Sequence, residues 1–209
     1  MFSPNALPEI ASVLVIDSSA AINLVATGYA ETIVGALQSK LVAVDVVLSE
    51  LDEGRKRGRP HADLFERLVS EGLVEIVTLD EAALYIFENL VFGPAQETLD
   101  DGEAATIAYA VTSKGTAIID ERKATRICGN RFPNLSVGCT VDLFSHPNVE
   151  HILGRHLLSQ AVVNALKLAH MNVRPDHHKW VIDLIGPSEA AECRSLPQAL
   201  RKQTNAAQT

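Results

Sequence analysis

Four acidic residues occupy positions from which their carboxylates could meet around one cation. Asp17 and Asp120 each follow a short apolar run, and Glu50 and Glu103 each lie at the border of an apolar helix face. Carboxylates that converge repel one another and raise one another's pKa values, and a divalent cation removes that conflict. Oxygen ligands without histidine or cysteine favour Mg²⁺ or Mn²⁺, which keep several waters. Such a cation activates water and stabilises charge on a phosphoryl group, which is the chemistry this set predicts.

Each of these residue types also has an ordinary structural role. An aspartate at a strand end is often a turn former or a helix cap. We prefer that role for Asp45 and Asp80, because each directly precedes a predicted helix. Glu50 and Glu103 taken singly could be plain surface residues, so the prediction depends on the four acids occurring together.

Short apolar runs predict five strands, at residues 13–16, 41–44, 73–79, 117–119 and 135–137. Most are continuously apolar, as strands buried on both faces of a parallel sheet are, whereas 73–79 alternates like an edge strand. Helical patterns separate them, at 20–37, 46–57, 62–69, 81–90 and 102–113. This alternation predicts an α/β fold with helices on both faces of the sheet. Ligands bind such sheets beyond the carboxyl ends of the strands, where strand order reverses.

The chain changes character beyond Gly138. Its pattern predicts a long amphipathic helix over 151–171 and a short one over 176–185, ended by Gly186 and Pro187. We therefore divide the chain into an N-terminal extension, a main domain, a C-terminal helical extension and a polar tail expected to be disordered, over residues 1–11, 12–148, 149–187 and 188–209. The long helix could form a dimer interface, a groove for a partner protein or a lid over the core. We expect the His177–His178 pair to be exposed.

Composition indicates a soluble protein of the cytoplasm. The 209 residues are 47% hydrophobic and 21% charged, which suits one domain with a sizeable core. No apolar stretch could span a bilayer, and the N-terminus lacks a secretory signal pattern. The three cysteines, Cys128, Cys139 and Cys193, form no CxxC pair, so their spacing predicts neither a zinc site nor a redox motif.

The formal net charge of −8 disfavours a general nucleic-acid binder, since phosphate contacts need cations. It does not exclude a nuclease, because metal-binding carboxylates make a protein look acidic until the metal is counted. The basic charge is concentrated in one run, formed by Arg55, Lys56, Arg57 and Arg59. This run is either a solvated helix end, where cations suit the dipole, or a contact for an RNA backbone.

Four segments resemble the motifs of the PIN domain family. They are VLVIDSSAAINL (13–24), LVAVDVVLSEL (41–51), LDDGEAATIAYA (99–110) and AIIDERKATRIC (117–128). Their order and spacing match the family over roughly residues 12–146. The resemblance implies a three-layer α/β/α fold with sheet order 3-2-1-4-5, and Mg²⁺- or Mn²⁺-dependent hydrolysis of RNA phosphodiesters. It implies metal-site roles for Asp17, Glu50, Glu103 and Asp120, and supporting roles for Ser19, Asn23 and Glu121.

Many small PIN proteins are toxins of bacterial toxin–antitoxin pairs, and many form homodimers. This chain is longer, and its residues 149–187 resemble the helical extension of a PIN subgroup. The resemblance thus implies an endoribonuclease. More specifically, the protein could be the toxin of such a pair and bind an antitoxin. In this hypothesis, water activated by the metal attacks an RNA phosphorus in line. The alternative is a PIN fold that holds RNA or protein without cutting.

Two other α/β folds fit the residues less well. A phosphoacceptor receiver domain needs an acidic pair after its first strand, but Ser18 and Ser19 follow Asp17 here. A haloacid-dehalogenase-like phosphatase needs Asp-x-Asp at the same place, and the sequence is Asp-Ser-Ser.

Overall fold

A five-stranded sheet forms the centre of the protein in this computed structural model, which describes residues 13–206. Its strands are β1 (Val13–Ile16), β2 (Lys40–Val44), β3 (Val74–Val77), β4 (Thr116–Ile118) and β5 (Ser136–Gly138). All neighbouring strands are parallel and their order is β3-β2-β1-β4-β5. The predicted strand order is confirmed, and β3 is an edge strand as its alternating sequence indicated.

Successive residues of β1 and β2 pack into different cores, because side chains alternate across a sheet. Leu14 and Ile16 belong to one apolar cluster, whereas Val15 lies between them in sequence and belongs to the other. Val42 and Val44 of β2 join the cluster of Val15. The sheet is therefore covered by helices on both faces, which confirms the three-layer α/β/α architecture.

Eight helices connect or follow the strands within residues 13–146. They are α1 (Ser18–Ala26), α2 (Ala30–Ala36), α3 (Asp45–Lys56), α4 (His61–Ser70), α5 (Glu81–Val91), α6 (Asp101–Ser113), α7 (Arg122–Arg131) and α8 (Thr140–Phe144). The helical stretch predicted over 20–37 with a break near Gly28 is two helices, because the chain turns at Gly28, where φ is +76°. Helix α7 was not predicted, since its sequence is mostly polar and buries few side chains.

The C-terminal segment packs onto the main domain. It contains α9 (Pro147–Leu168), a 3-10 turn (Pro175–His177), α10 (His178–Glu192) and α11 (Gln198–Ala206). Helix α9 contacts α1, α2, α8 and α10, and its buried side chains share one apolar cluster with β1. The extension thus completes the core on one face of the sheet. No helix within residues 13–206 has both the length and the apolar character needed to cross a membrane.

Three expectations for the C-terminal region were wrong. Helix α10 continues beyond Gly186 with a kink, because Gly186 takes φ +81° and Pro187 suits the first turn of the helical segment that follows. The described part of the tail expected to be disordered, residues 188–206, is largely helical, and it is anchored where Cys193 and Leu196 are buried. His177, expected to be exposed, is fully buried. The N-terminal extension, 1–11, lies outside the described residues.

Candidate active site

Asp17 and Asp120 lie beyond the carboxyl ends of the neighbouring strands β1 and β4. Ile16 pairs with Ile118, so β1 and β4 end side by side, and the Asp17 N–H donates to the Ile118 carbonyl at 3.3 Å. Strand order reverses here: from β1 the chain first adds β2 and β3 on one side, and then β4 and β5 on the other side. Both carboxylates are almost completely buried, with 1% and 4% of Asp17 and Asp120 exposed.

Asp17 has one oxygen engaged and one without a partner. Its Oδ1 accepts a hydrogen bond from the Ala20 N–H at 2.7 Å, which caps α1. Its Oδ2 is buried and has no hydrogen-bond partner. Burial raises the pKa of Asp17 well above its usual range, and the charges of Asp120, Glu103 and Glu50 raise this pKa further. A cation next to Oδ2 would relieve both the desolvation and the repulsion.

Asp120 is held by donors from distant parts of the chain. It accepts hydrogen bonds from Asn23 Nδ2 at 2.7 Å, from the Thr140 N–H at 2.8 Å and from Thr140 Oγ1 at 2.5 Å. Burial raises the pKa of Asp120, while these donors lower it. Asn23 thus lies where a supporting residue was expected. Sequence reasoning missed Thr140, although its position three residues after the predicted strand 135–137 was a usable signal.

Glu50 of α3 is positioned by the starts of two other helices. Its Oε1 accepts from the Gly102 N–H at 2.9 Å, and its Oε2 accepts from the Ser18 hydroxyl. A Cβ at Gly102 would lie 2.3 Å from Oε2, so glycine allows α6 to approach this carboxylate. The predicted hydroxyl, Ser19, is instead exposed, and among the described residues its side chain has no hydrogen-bond partner.

Glu103 and Glu121 complete the acidic surroundings. Glu103 lies in the first turn of α6, and burial together with the charges of Asp100 and Glu121 raises its pKa to about 7. Glu121 is exposed and caps α7 by accepting from the Lys123 N–H at 3.3 Å. Glu121 therefore contributes negative charge near Glu103 while its carboxylate is used as a helix cap.

The four acids fit a hard divalent cation that keeps part of its water shell. All donors are oxygens, Asp17 offers a buried oxygen without a partner, and the charges of the other three acids act on Asp17. Within residues 13–206, no three of these acids bring ligand atoms within 4.8 Å of one another. Mg²⁺ suits such a site, because it usually binds one or two carboxylates directly and retains several waters.

Residues 13–185 match the family model DUF3368, which is described as a PIN domain. The chain belongs to this PIN-domain family. The match contains all four acids and reaches through most of the C-terminal extension. A comparison with curated proteins and one with solved structures each found no match. PIN domains are in general metal-dependent nucleases, which agrees with an all-oxygen acidic site.

The basic run of this PIN domain divides into two halves. Arg55 forms ion pairs with three carboxylates, at 2.9 Å to Asp63, 3.5 Å to Asp52 and 2.5 Å to Glu66. Lys56 pairs with Glu53 at 2.5 Å. The positive charge of the first half is therefore already neutralised within α3 and α4.

The second half of the run is free to meet an anion. Arg57 and Arg59 are exposed, and neither forms an ion pair within the described part of the chain. They line a small cavity of about 80 Å³ together with Glu50 and His61. Burial and the charge of Arg59 lower the pKa of His61, so this ring is mostly neutral at pH 7. The two arginines thus place positive charge beside one of the four acids.

Proposed function

We propose that this protein is an endoribonuclease that depends on Mg²⁺ or Mn²⁺, with Asp17, Glu50, Glu103 and Asp120 as its acidic residues. The observation that carries the proposal is the state of Asp17, which is buried at the switch point with an unpartnered oxygen under three further negative charges. A fold that needed Asp17 only as a helix cap would have no reason to bury its second oxygen without a partner. Membership in a PIN family supports nuclease chemistry.

Each acid has a role that follows from its contacts. Asp17 offers its free Oδ2 to the cation, and Asp120 is oriented by Asn23 and Thr140. Glu50 is oriented by the Gly102 N–H. When bound, the cation supplies a water of lowered pKa and stabilises charge on the phosphoryl group.

Glu103 is suited to handle the proton of the attacking water. Without a cation, burial and the neighbouring acids raise the pKa of Glu103 to about 7, and a bound cation favours the ionised carboxylate, which can accept a proton. Its place in the first turn of α6 is close enough to Asp17 for the two charges to interact. In this proposal one oxygen of Glu103 would bind the cation and the other would accept the proton of the attacking water.

The RNA backbone would lie across the end of α3. Arg57 and Arg59 are exposed, unpaired among the described residues and adjacent to Glu50 in one cavity, so they are the side chains assigned to phosphate contacts. Arg55 and Lys56 belong to the same predicted run, but their acidic partners leave little charge for RNA.

A toxin of a bacterial toxin–antitoxin pair, acting in the cytoplasm as a homodimer, is the more specific form of this proposal. The resemblance to small PIN toxins supports it. Tyr85 and Phe92 on and after α5 are 71% and 76% exposed, which gives the surface an apolar area suited to a second copy. Light scattering tests this form, because Tyr85→Ser should convert a dimer into a monomer, whereas a wild-type monomer would remove the homodimer from the proposal.

Metal titration and RNA cleavage together test the enzyme proposal. The purified protein should bind Mn²⁺ in calorimetry and should cut members of a tRNA and rRNA panel with Mn²⁺ but not with EDTA. Binding without cleavage would favour the alternative, a PIN fold that holds RNA without cutting it. Absence of Mn²⁺ binding would refute the metal site itself.

The salt dependence of RNA affinity tests the assignment of the arginines. Removing one cation that binds a phosphate should reduce the slope of log K against log salt by about 0.7 for single-stranded RNA. Arg57→Ala and Arg59→Ala should each show that reduction, measured with uncut RNA in EDTA. Arg55→Ala is the matched control and should leave the slope unchanged, because its charge is already paired. Equal slopes in all three variants would place the RNA elsewhere.

A further inference from the structure

Three buried side chains outside the acidic site bring a sulfur, an oxygen and a nitrogen together. Cys139 and Asp142 lie at the start of α8, and His177 lies in the 3-10 turn after α9. All three are buried, and their ligand atoms lie within 4.8 Å of one another. These residues join the end of β5 to the C-terminal segment of the chain.

Polar atoms in this cluster lack the partners that burial normally requires. Asp142 Oδ2 accepts from the Cys139 N–H at 2.8 Å, but Asp142 Oδ1 has no hydrogen bond. Neither ring nitrogen of His177 has a hydrogen-bond partner, although Nε2 lies 3.3 Å from Asp142 Oδ1. Burial of polar atoms without partners is rare in native proteins, since each forfeits the hydrogen bonds it makes with water. Two of these atoms, His177 Nε2 and Asp142 Oδ1, lie close to each other and to the Cys139 sulfur, which indicates a missing ligand between them.

We propose that Cys139, Asp142 and His177 bind Zn²⁺. A thiolate, an imidazole and a carboxylate form a donor set that zinc accepts, whereas Mg²⁺ avoids sulfur and nitrogen. Zinc bonds of roughly 2.0–2.3 Å in tetrahedral geometry place ligand atoms about 3.3–3.8 Å apart. The 3.3 Å between His177 Nε2 and Asp142 Oδ1 is already at that spacing.

A fourth ligand and charge balance are available locally. Asp176 Oδ2 lies 3.8 Å from His177 Nε2, and Arg174 Nη2 donates to that oxygen at 3.0 Å. The cysteine thiolate and the Asp142 carboxylate balance the two charges of zinc, and the thiol proton passes to solvent on binding. Asp176 is neutralised by Arg174, so the filled site carries little net charge in a buried place.

The site would connect the C-terminal segment to the acidic centre. Thr140, which follows Cys139 directly, holds Asp120 through its N–H and its hydroxyl. Zinc at Cys139 would fix the beginning of α8 and therefore these two hydrogen bonds. The proposal stands on the contacts of the cluster and does not depend on nuclease activity.

Cobalt substitution of the full-length protein tests the site by spectroscopy. After removal of metals, Co²⁺ should give one equivalent of binding with a thiolate-to-cobalt charge-transfer band and the visible bands of a tetrahedral site, and Zn²⁺ should abolish both. Cobalt in the acidic site has only oxygen ligands and gives no sulfur band. Asp17→Asn should therefore keep the band, which separates this proposal from the nuclease proposal.

Matched variants identify the ligands. Cys139→Ser and His177→Gln should lose the sulfur band, whereas Cys193→Ser and His178→Gln should keep it. Cys193 is also buried, so it controls for the removal of any buried thiol. If the wild-type protein shows no sulfur band and retains no zinc, the cluster is only an ion pair between His177 and Asp142, and the proposal is overturned. That measurement needs no variant to fold.

Discussion

At the carboxyl edge of the sheet, Asp17 and Asp120 are almost fully buried, whereas Asp45 and Asp80 are exposed. Each of the four follows closely on the end of a strand. Asp80 caps α5 by accepting from the Ala83 N–H at 2.8 Å, as predicted. Asp45 is instead the first residue of α3, and its Oδ1 accepts from the Val46 N–H at 2.9 Å.

The position of the strand in the sheet explains the difference. β1 and β4 flank the switch point, and α1, α6 and α8 converge on their ends with Asn23, Gly102 and Thr140. β2 and β3 lie on the other side of the switch point, and each is followed by a helix that leaves its aspartate exposed. An aspartate that follows a parallel strand therefore belongs to the candidate site only where strand order reverses in the sheet.

Replacing an aspartate with asparagine at position 17 and at position 45 should give the largest difference in cleavage rate. Asp17→Asn should lower Mn²⁺-dependent RNA cleavage by about 10²-fold or more, since several kcal/mol of charge stabilisation is removed. Its helix cap should persist, because an asparagine oxygen can still accept from the Ala20 N–H. Asp45→Asn should retain wild-type rates. Initial rates on one RNA substrate measure both, and equal rates would mean that burial does not distinguish the two positions.

Removing a donor from Asp120 should cost stability. Thr140→Val leaves a buried carboxylate oxygen with one donor fewer, so the free energy of unfolding should fall by about 1–3 kcal/mol. Urea denaturation in EDTA measures this decrease. Thr125→Val is the matched control, because its hydroxyl bonds to a backbone carbonyl at the surface, and it should change stability by less than about 0.5 kcal/mol. Similar decreases in both would contradict a special role for Thr140.

Without metal, the protein should lose stability as the pH rises from about 4.5 to 7. The pKa of Glu103 is raised from 4.5 to about 7, so in this window the folded state binds more protons than the unfolded chain. The pKa values of Asp17 and Asp120 are raised in the same sense. Thermal unfolding in EDTA should show a falling Tm that Mn²⁺ restores at high pH. If the Tm of Glu103→Gln falls with pH as steeply as that of the wild type, Glu103 is not the cause of the pH dependence.

The smallest effect is expected at the exposed aspartates. Asp80→Ala removes the cap of α5 and should lower the free energy of unfolding by about 1 kcal/mol without changing RNA cleavage. Denaturant unfolding and the cleavage assay measure the two outcomes. Reduced cleavage at wild-type stability would mean that β3 contributes to the site, and the contrast between the switch point and the β2–β3 side of the sheet would no longer hold.

Local patterns were sufficient for the sheet and for most helices. Apolar runs located the strands, and the four motifs led to the strand order through the resemblance to PIN domains. Helix α7 was missed because so few of its residues are buried that it has little apolar periodicity. Helix α8 is only five residues long, which is too short for its periodicity to be recognised.

The sequence by itself determined that acids follow buried strands and begin helices, because those positions are set by residues near them in the chain. Only the tertiary structure decided which groups meet. Ser18 rather than Ser19 contacts Glu50, 32 residues away, and Thr140 reaches Asp120 across 20 residues. The tertiary structure also leaves Arg57 and Arg59 exposed, and it buries His177 beside Asp142. Such contacts depend on how helices pack over the sheet, and no local periodicity encodes that packing.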